Sequence, residues 1–270
     1  MTRSITAEGQ AGLDALARDP GAALVASDFD GTLSPIVEDP ESARATPGAV
    51  EALVRLASRV GTVAIITGRP AADAVRLGGL AEVPGLIVLG HYGADRWPNG
   101  QAVPQSSPAG LEVVRSELPV VLADAGAPEG TRIEDKGHAV AVHTRQTSDP
   151  GGVVSTLRGP LTALAERNGL VIEPGRFVLE LRPPGSDKGA ALAELVTERG
   201  AKSVVFCGDD LGDLAAFAAV RALRERGIPG CTVCSASPES TSVAAEADVV
   251  TDGPTGIVAF LGDLSASLGR

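Results

Sequence analysis

Short apolar runs alternate with segments of helical periodicity between residues 22 and 89 and again after residue 187, and this alternation narrows the possible folds more than any other feature. The helical segments include residues 47–60 and 190–199, and the loops between segments are short. The apolar runs read as buried strands, and they cover residues 22–27, 63–66, 86–89 and 203–207. Regular alternation of strand and helix predicts an α/β fold, with a doubly wound, Rossmann-like parallel sheet covered by helices.

The composition fits such a sheet and excludes two classes of partner. Aromatic residues make up only 3% of the chain, so the core must be aliphatic, and the stacking platforms of base-binding proteins are lacking. Acidic residues outnumber Lys and Arg by 34 to 23, which gives a net charge of −11. That charge argues against nucleic acid and anionic membranes as partners. An anionic substrate would need a local cation, either a metal or clustered Lys and Arg.

A second, smaller domain is predicted between the two halves of the main domain. Residues 98–108 are rich in Pro, Gly, Ser and Gln, as a linker would be. The segments that follow read as helix, strand, helix and hairpin, at residues 109–123, 132–145, 155–168 and 170–182. We therefore expect an inserted α+β domain at residues 104–182 and a main domain made of residues 1–103 and 183–270.

The sequence favours a cytoplasmic protein. The first twenty residues hold no long apolar run and do not resemble a secretory signal, and no stretch approaches the roughly 20 apolar residues that span a bilayer. Three cysteines are too few for a disulfide framework. Cys231 and Cys234 have the spacing of a redox or metal-binding pair, but their run reads as a core strand in which Cys is a small apolar residue.

The most specific feature is the run DFDGT at residues 28–32, which follows the first predicted strand. Asp28 and Asp30 would lie outside the carboxyl end of that strand, where open α/β sheets bind ligands. Gly31 lets the chain turn sharply and leaves backbone N–H groups for anionic oxygens. The alternative is an Asp-rich turn without chemistry, but paired carboxylates at a strand end are costly without a cation.

A second acidic pair ends another predicted strand. Asp209 and Asp210 follow the run at residues 203–207, and Asp213 comes a few residues later. Two strand ends that carry Asp would form a cage of hard oxygen ligands, which suits Mg²⁺, and no cluster of His competes for a softer metal. The candidate Mg²⁺ ligands are Asp28, Asp30, Asp209, Asp210 and Asp213.

Groups suited to binding phosphate occur between the two acidic pairs. Thr67 ends its own predicted strand, and Gly68 and Arg69 follow where a helix begins, so a hydroxyl and amides can bind phosphoryl oxygens there. Lys188 opens another predicted helix and offers a point charge for phosphate. Each feature alone is common, since a Lys at a helix start is usually only solvated. The order of Asp pair, Thr, Lys and second Asp pair is what indicates a phosphate site.

These four motifs resemble those of the haloacid dehalogenase superfamily of phosphohydrolases, many of which carry an α/β cap between the second and third motifs. The resemblance implies that Asp28 attacks phosphorus and forms an aspartyl-phosphate. It also implies that Mg²⁺ is held by Asp28, Asp209 and a backbone carbonyl near Asp30. Asp30 would protonate the leaving oxygen and then deprotonate the attacking water.

The same resemblance gives roles to the remaining motif residues. Thr67 and Lys188 would take up the charge of the transition state. Asp210 and Asp213 would orient the metal or its waters. Closure of a cap would exclude bulk water and add contacts to the substrate.

Four longer segments are similar to the trehalose-6-phosphate phosphatase family. They are DFDGTLSPIV at residues 28–37, IEDKG at 133–137, HTR at 143–145 and GRFVLELRP at 175–183. The last three lie in the predicted inserted domain, and in the family the IEDKG and GRxxxELRP segments meet the sugar. The candidate substrate-binding residues are Glu134, Lys136, His143, Arg145, Glu180 and Arg182, with Gly31, Gly68 and Arg69 on the phosphate side. Without the family, the charges of the inserted domain would be read as a solvated face of its strands.

The chain departs from the family pattern near the fourth motif. The family sequence is close to GDDxTDEDAF, whereas residues 208–217 read GDDLGDLAAF, so Gly212 replaces Thr and two acids are lost. Thr144 replaces the Tyr of a family HYR segment. Asp209 and Asp213 remain, so metal binding is expected to survive these changes.

We expect a Mg²⁺-dependent phosphatase of a disaccharide phosphate, with trehalose 6-phosphate as the first candidate and a functional link to a sugar-phosphate synthase. Three alternatives stay open. They are a phosphatase for another sugar or pseudo-disaccharide phosphate, a phosphomutase that returns the phosphoryl group to a sugar, and a non-catalytic relative that binds a sugar phosphate. Loss of Asp28 or Asp30 would have favoured the non-catalytic relative, and both are present.

Overall fold

The computed structural model describes residues 5–98, 109–137, 139–175, 177–184, 187–237 and 241–268. The chain forms two units, one made of Met1–Gln101 with Asp187–Arg270 and the other of Ala102–Ser186. We call them the parallel-sheet unit and the antiparallel-sheet unit, after the sheet that each contains. In the described part of the chain, no helix combines the length and the apolar character needed to cross a bilayer.

Eleven strands are described. In chain order they are β1 (Ala23–Ser27), β2 (Thr62–Ile66), β3 (Ile87–Gly90), β4 (Asp95–Trp97), β5 (Arg132–Asp135), β6 (Val140–His143), β7 (Val171–Gly175), β8 (Val178–Arg182), β9 (Ser203–Gly208), β10 (Gly230–Ala236) and β11 (Val249–Asp252).

Nine α-helices are described between these strands and at the two ends of the chain. They are α1 (Ala7–Arg18), α2 (Ala49–Ala57), α3 (Ala71–Gly78), α4 (Ala109–Asp124), α5 (Pro150–Arg167), α6 (Lys188–Arg199), α7 (Leu214–Glu225), α8 (Thr241–Ala245) and α9 (Gly253–Ser267).

The parallel-sheet unit contains seven strands in the order β11-β10-β9-β1-β2-β3-β4. Every neighbouring pair is parallel except β3 and β4, which are antiparallel at one edge. Because six strands run in one direction, their carboxyl ends share one edge of the sheet. The central strand β1 lies between β2 and β9, so the residues that follow these three strands are neighbours at that edge.

Helices cover both faces of this sheet, which explains why its central strands are buried at every position and mostly apolar. Along β1, Val25 packs into the aliphatic cluster that includes residues of α2, α3 and α9. The next residues on either side, Leu24 and Ala26, pack into the opposite cluster with α6 and α7. A strand buried on both faces cannot alternate apolar with polar residues, and β1, β2 and β9 are buried throughout. The predicted α/β fold with a doubly wound parallel sheet is confirmed.

The antiparallel-sheet unit contains four strands in the order β5-β6-β8-β7, all paired antiparallel. Residues of β6 and β8 such as Val142 and Leu179 pack against leucines of α4 and α5, among them Leu118 and Leu161. Only one face of the sheet takes part in this core. The other face carries most of the charged residues of the strands.

Three features of the fold differ from the sequence predictions or extend them. Residues 132–145 were predicted as one strand-like segment, but they form the hairpin of β5 and β6, with a turn in which Gly137 has a φ of 80°. The helices α1, α8 and α9 and the edge strand β4 were not predicted. The predicted domain limits at residues 104 and 182 remain predictions, and residues 99–108 of the predicted linker lie outside the described residues.

Cys231 and Cys234 both lie in β10, where their thiols are buried and unbonded to each other. Burial raises the pKa of the Cys231 thiol to about 12, so it is held as a neutral, unreactive group. This agrees with the prediction of a core strand and not of a redox pair.

Candidate active site

Three strand ends bring the predicted site residues of the parallel-sheet unit together. Asp28 follows β1, Thr67 follows β2 and Asp209 follows β9, and these three strands are adjacent in the sheet. Lys188 is the first residue of α6, whose N-cap is Asp187. The sequence predicted Asp28, Thr67 and Asp209 at the ends of strands and Lys188 at the start of a helix, and the carboxyl ends of parallel strands share one edge of the sheet.

An acidic cluster forms at this edge, made of Asp28, Asp209 and Asp213. One carboxylate oxygen from each lies within 4.8 Å of the others, and all three side chains are buried. The Lys188 ammonium group is buried beside them, with Nζ 2.9 Å from Asp28 Oδ1 and 2.8 Å from Asp213 Oδ1. The cluster therefore holds three carboxyl groups against one ammonium group.

This imbalance is visible in the pKa values. Burial, opposed by Lys188 and reinforced by the neighbouring carboxylates, raises the pKa of Asp28 well above its usual value. Burial and the charges of Asp213 and Asp210 raise the pKa of Asp209 to about 8. Burial lowers the pKa of Lys188, but the carboxylates outweigh that effect and raise it overall, so the ammonium group keeps its charge. Burial is the largest cause of the raised pKa of Asp209, and the neighbouring carboxylates add to it.

The donor set fits a divalent cation of the Mg²⁺ type. Hard cations prefer carboxylate oxygens, and the cluster supplies oxygen donors from Asp28, Asp209 and Asp213. In the described residues no other group of three acidic, His or Cys side chains is placed to hold a metal. Asp30 and Asp210, which the sequence also proposed as ligands, lie outside this cluster.

Asp213 and Asp210 hold the loop after β9 in place. The buried Asp213 Oδ2 accepts hydrogen bonds from the backbone N–H groups of Asp209, at 2.8 Å, and Asp210, at 3.1 Å. The exposed Asp210 side chain caps the short 3₁₀ turn at Leu211–Asp213. Asp213 thus orients both the loop after β9 and the Lys188 ammonium group, whereas Asp210 caps the 3₁₀ turn.

The DFDGT turn packs closely against Asp209. A Cβ atom on Gly31 would lie 2.0 Å from Asp209 Oδ2, and Gly31 has a φ of 79°, so this position requires glycine. The Thr32 hydroxyl donates to Asp209 Oδ1 at 2.8 Å, and the buried Ser235 hydroxyl donates to the Gly31 carbonyl at 2.7 Å. The Gly31 N–H donates to Ser34 O within the turn, so this amide is used there and is not free as the sequence suggested.

Thr32 and Ser235 were not among the predicted site residues. Thr32 belongs to the DFDGT run, so its place beside the acidic residues was visible in the sequence. Ser235 lies within β10, and nothing in its sequence surroundings marks it as a site residue.

Thr67 and Gly68 lie against the turn that follows β3. The Thr67 side chain is buried, and its Oγ1 accepts a hydrogen bond from the Arg69 N–H at 3.2 Å. Tyr92 donates its N–H to the Thr67 carbonyl at 3.0 Å and packs so closely on Gly68 that a Cβ there would lie 2.8 Å from the Tyr92 hydroxyl. Tyr92 has a φ of 58°, an uncommon conformation for a bulky residue. This turn fixes the backbone that presents Thr67.

Asp30 does not join the acidic cluster but forms an ion pair with Arg69. Arg69 Nε lies 2.6 Å from Asp30 Oδ2, and Arg69 Nη2 lies 2.7 Å from Asp30 Oδ1. The hydrogen bonds to Asp30 raise the pKa of Arg69 above its usual value, although burial lowers it. Both oxygens of the Asp30 carboxyl group are therefore held by one guanidinium group.

The antiparallel-sheet unit brings most of its predicted residues to one face. In register, Glu134 lies across from Ala141, which lies across from Glu180, which in turn lies across from Glu173. Alternate residues of a strand point to opposite faces, so these acids lie on the face away from the leucine core. We call it the charged face, and it includes Arg132, Glu134, Lys136, His143, Glu173, Glu180 and Arg182.

Ion pairs connect the residues of the charged face. Lys136 Nζ lies 2.6 Å from Glu180 Oε2, and Arg182 Nη2 lies 2.6 Å from Glu173 Oε2. His143 Nε2 lies 2.7 Å from Glu134 Oε2. Glu180 is buried, and no hydrogen bond to its Oε1 is found within the described residues.

Two residues depart from the expected set. Arg145 lies beyond the end of β6 and is exposed, outside the charged face. Glu173 was not predicted, because it belongs to no family segment.

The model of the trehalose-phosphatase family matches residues 26–250. Among curated proteins, a trehalose-phosphate phosphatase of Mycobacterium leprae is 36% identical over 228 residues, which is 80% of this chain and 51% of that protein. The chain thus spans about half the length of this relative. The region that the family model matches contains all the candidate site residues.

Two solved structures are similar to this chain in fold. Trehalose-6-phosphate phosphatase of Aspergillus fumigatus is 25% identical, with a TM-score of 0.68 over 96% of this chain and 97% of that one. A haloacid dehalogenase-like hydrolase of Bacteroides thetaiotaomicron has a TM-score of 0.60 over 90% of this chain and 99% of that one. Its 16% identity is a likeness of fold alone.

Proposed function

The chain belongs to the trehalose-phosphatase family, and from this membership we propose that it is a Mg²⁺-dependent phosphatase that hydrolyses trehalose 6-phosphate to trehalose and phosphate through an aspartyl-phosphate. The observation that carries the proposal is the buried pair of Asp28 and Lys188 within the acidic cluster. A carboxylate nucleophile and a cation for phosphate are adjacent there. Phosphate monoesters resist uncatalysed hydrolysis strongly, so such a site needs both.

Asp28 is the nucleophile of the proposed reaction. Its carboxylate oxygen forms a bond to phosphorus while the bond between phosphorus and the sugar oxygen breaks. Lys188, 2.9 Å away, favours the ionised form that attacks. In the second step a water oxygen attacks phosphorus, the bond to Asp28 breaks and phosphate leaves.

Lys188 and Thr67 stabilise the phosphoryl group in this proposal. Phosphoryl transfer depends mainly on positioning and on stabilising charge on the equatorial oxygens. Lys188 is fixed by Asp213, and Thr67 is fixed by the Tyr92 turn, so neither has to reorganise during the reaction. Because Gly68 has no side chain, a phosphoryl oxygen can come close to its backbone.

Asp28, Asp209 and Asp213 would hold Mg²⁺, because three carboxyl groups and one ammonium group leave negative charge uncompensated. When bound, Mg²⁺ offsets the repulsion between an anionic nucleophile and an anionic substrate. Asp213 also keeps Lys188 in place, and Thr32 orients Asp209 through its hydroxyl.

Asp30 is the proposed acid and base. It is two residues from the nucleophile, on the outer side of the DFDGT turn, and its side chain is about one third exposed. In the first step a proton on Asp30 moves to the leaving sugar oxygen. In the second step Asp30 takes a proton from the attacking water.

We place sugar recognition on the charged face of the antiparallel-sheet unit. Charged side chains bind sugar hydroxyls as both donors and acceptors, and the Lys136–Glu180 pair offers both kinds of group. The Glu180 Oε1 atom, buried and without a partner in the described chain, is an acceptor that a hydroxyl could satisfy. The cytoplasmic location and the link to a sugar-phosphate synthase remain predictions from the sequence.

A second candidate substrate is another disaccharide phosphate. It is favoured by Gly212 and Thr144, which replace residues of the family pattern. The chemistry at Asp28 would be unchanged, and only the sugar would differ.

The proposal is tested by phosphate release from a panel of sugar phosphates with Mg²⁺, comparing the wild type with Asp28→Asn. We expect trehalose 6-phosphate to be the best substrate and the variant to be inactive. If the enzyme preferred another disaccharide phosphate, the proposed substrate would be wrong and the proposed mechanism would stand. Phosphoryl transfer between sugars without phosphate release would identify a mutase, and binding without turnover would identify a non-catalytic relative.

A further inference from the structure

Three of the five N–H groups of the Arg69 side chain donate to other groups of the protein. Nε and Nη2 donate to the two oxygens of Asp30 at 2.6 and 2.7 Å. Nη1 donates to the carbonyl of Pro40 at 2.9 Å. Each of the three nitrogen atoms of the guanidinium group thus has an acceptor on the same chain, which fixes the orientation of the group.

Arg69 is also fixed on its other sides. Its Cζ lies 5.8 Å from the centre of the ring of Phe29, the buried residue between Asp28 and Asp30. Its carbonyl accepts a hydrogen bond from the His91 N–H at 3.0 Å, and its own N–H donates to Thr67 Oγ1. Arg69 therefore connects the loop after β2 with the DFDGT turn after β1.

Asp30 depends on this contact for its position. Its side chain is about 35% exposed, whereas Arg69 is about 16% exposed. A carboxylate on a surface turn rotates freely unless a partner holds it, and a guanidinium group that binds both oxygens fixes its plane as well as its position.

We propose that Arg69 is the positioning residue of Asp30, and that it acts on the reaction through that carboxyl group and not by binding substrate. The inference rests on the proposed phosphatase function. Arg69 holds Asp30 where a proton can pass to the leaving oxygen in the first step and from water in the second.

The geometry fits both proton transfers. The carboxyl oxygens that would accept a proton from water are the two that Arg69 holds in place. When one oxygen carries the proton that the leaving group receives, the other oxygen can keep its bond to Arg69. The guanidinium group needs no change in its own protonation at either step, since it is always charged.

The test uses esters that differ in their need for an acid. Nitrophenolate leaves without a proton more readily than phenolate or a sugar alkoxide, so p-nitrophenyl phosphate depends least on Asp30. We expect Arg69→Ala to lower kcat/KM for phenyl phosphate and trehalose 6-phosphate by about 10- to 100-fold. For p-nitrophenyl phosphate we expect a change of less than about 3-fold. A loss that is equal for all esters would overturn the proposal, because a phosphate-binding or merely structural residue acts on every substrate alike.

Two further variants separate positioning from folding. Arg69→Lys can donate to one oxygen of Asp30, so it should recover part of the loss on phenyl phosphate. Arg96→Ala is the matched control, since Arg96 also binds a carboxyl group through two nitrogens, at Glu198 on α6. It should leave both esters unchanged. If Arg69→Ala does not fold by circular dichroism, the contrast between esters in Arg69→Lys decides the matter, and no contrast there refutes the proposal.

A double variant gives the last comparison. In the Asp30→Asn background, Arg69→Ala should cost less than about 3-fold on phenyl phosphate, because its effect passes through a group that is already lost. A full additional 10- to 100-fold loss would contradict the proposal. If the wild type hydrolyses phenyl phosphate but not trehalose 6-phosphate, the proposed substrate fails, while the two aryl esters still test the role of Arg69.

Discussion

The two sheets of this protein arrange charge in different ways. In the parallel-sheet unit, charged side chains converge on strand ends and are buried, and Lys188 faces three carboxyl groups. In the antiparallel-sheet unit, charges are spread along one face and several of them form pairs of opposite charge, as in the Lys136–Glu180 pair and the Arg182–Glu173 pair.

The difference indicates what each surface is suited to bind. A buried cluster with excess negative charge is stabilised by an added cation, and together with that cation it can bind a phosphate. A face of matched pairs has little net charge to offer, but it presents many donors and acceptors to neutral hydroxyl groups. We therefore assign the chemistry to the first surface and the choice of sugar to the second, and each prediction below tests that division.

The largest expected effect is at Asp28. Asp28→Asn keeps the shape of the side chain but removes the nucleophile, so turnover should fall by at least about 10⁴-fold on every ester. Phosphate release from trehalose 6-phosphate and p-nitrophenyl phosphate measures it. Asp14→Asn, an acid-to-amide change on α1, serves as the control and should be neutral. If Asp28→Asn kept substantial activity, the reaction would not take place at the acidic cluster.

The next effect is that of metal removal. Chelation should lower activity by about 100-fold or more, since the cluster then lacks its compensating charge. A readout independent of activity is thermal unfolding, because a ligand at 100 times its Kd adds about 2.7 kcal/mol of stability. Mg²⁺ should raise the Tm of the wild type and not that of Asp209→Asn. If Glu180→Gln, on the charged face, loses the Mg²⁺ effect in the same way, the metal is not held by the acidic cluster.

A smaller and selective effect is expected on the charged face. Glu180→Ala should lower kcat/KM for trehalose 6-phosphate by about 10- to 150-fold, the equivalent of one hydrogen bond to a charged group, about 1.5–3 kcal/mol. Hydrolysis of p-nitrophenyl phosphate should hardly change, since that ester has no sugar to bind. Steady-state kinetics on the two esters provide the measurement. An equal loss of kcat/KM on both esters would show that Glu180 contributes to folding or catalysis. It would contradict the assignment of sugar recognition to the antiparallel-sheet unit.

The smallest expected effect is on stability, at a buried charge that lies outside the candidate active site. Asp248, which precedes β11, is buried and accepts hydrogen bonds from Thr6, Arg224 and Thr232. Burial raises its pKa, but these bonds outweigh burial and lower it overall. Asp248→Asn should therefore reduce the free energy of unfolding by about 2 kcal/mol at neutral pH.

The pH dependence of that difference has a definite sign. A carboxyl group with a lowered pKa in the folded state stabilises the fold above its unfolded pKa of about 3.9, and it loses that stabilisation as the pH falls through the folded pKa. Urea unfolding should show the gap between wild type and Asp248→Asn closing below about pH 4. The control is Glu117→Gln, which breaks an exposed pair with Arg167 and should cost less than about 1 kcal/mol. A gap that is constant with pH would show that the charge of Asp248 contributes nothing.

The same contrast explains how much the sequence could predict. In a parallel sheet, a functional residue directly follows an apolar run, so Asp28, Thr67 and Asp209 could be located from the pattern alone. In an antiparallel sheet, the charges alternate with core residues inside the strands, and Glu180 looks like any solvated position. Only the family segments pointed to that face, and Glu173 was missed because it lies outside them.

Contacts between loops that are distant along the chain could not be predicted from the sequence. Asp30 was expected among the metal ligands, but its carboxyl group lies outside the acidic cluster and pairs with Arg69, 39 residues away. The pairing depends on how the loops after β1 and β2 pack, and no local pattern encodes that packing. The Tyr92 turn is a further case, since nothing in the sequence predicts a positive φ for a tyrosine.

The most direct test of the account is to find where the phosphoryl group goes during turnover. The wild type, mixed with substrate and quenched in acid within a single turnover, is digested and analysed by mass spectrometry. We expect one phosphoryl group on the peptide that contains Asp28, and none in Asp28→Asn. A phosphoryl group on another residue, or turnover by the wild type without any phosphorylated peptide, would contradict the central claim that the carboxylate at the end of β1 performs the chemistry.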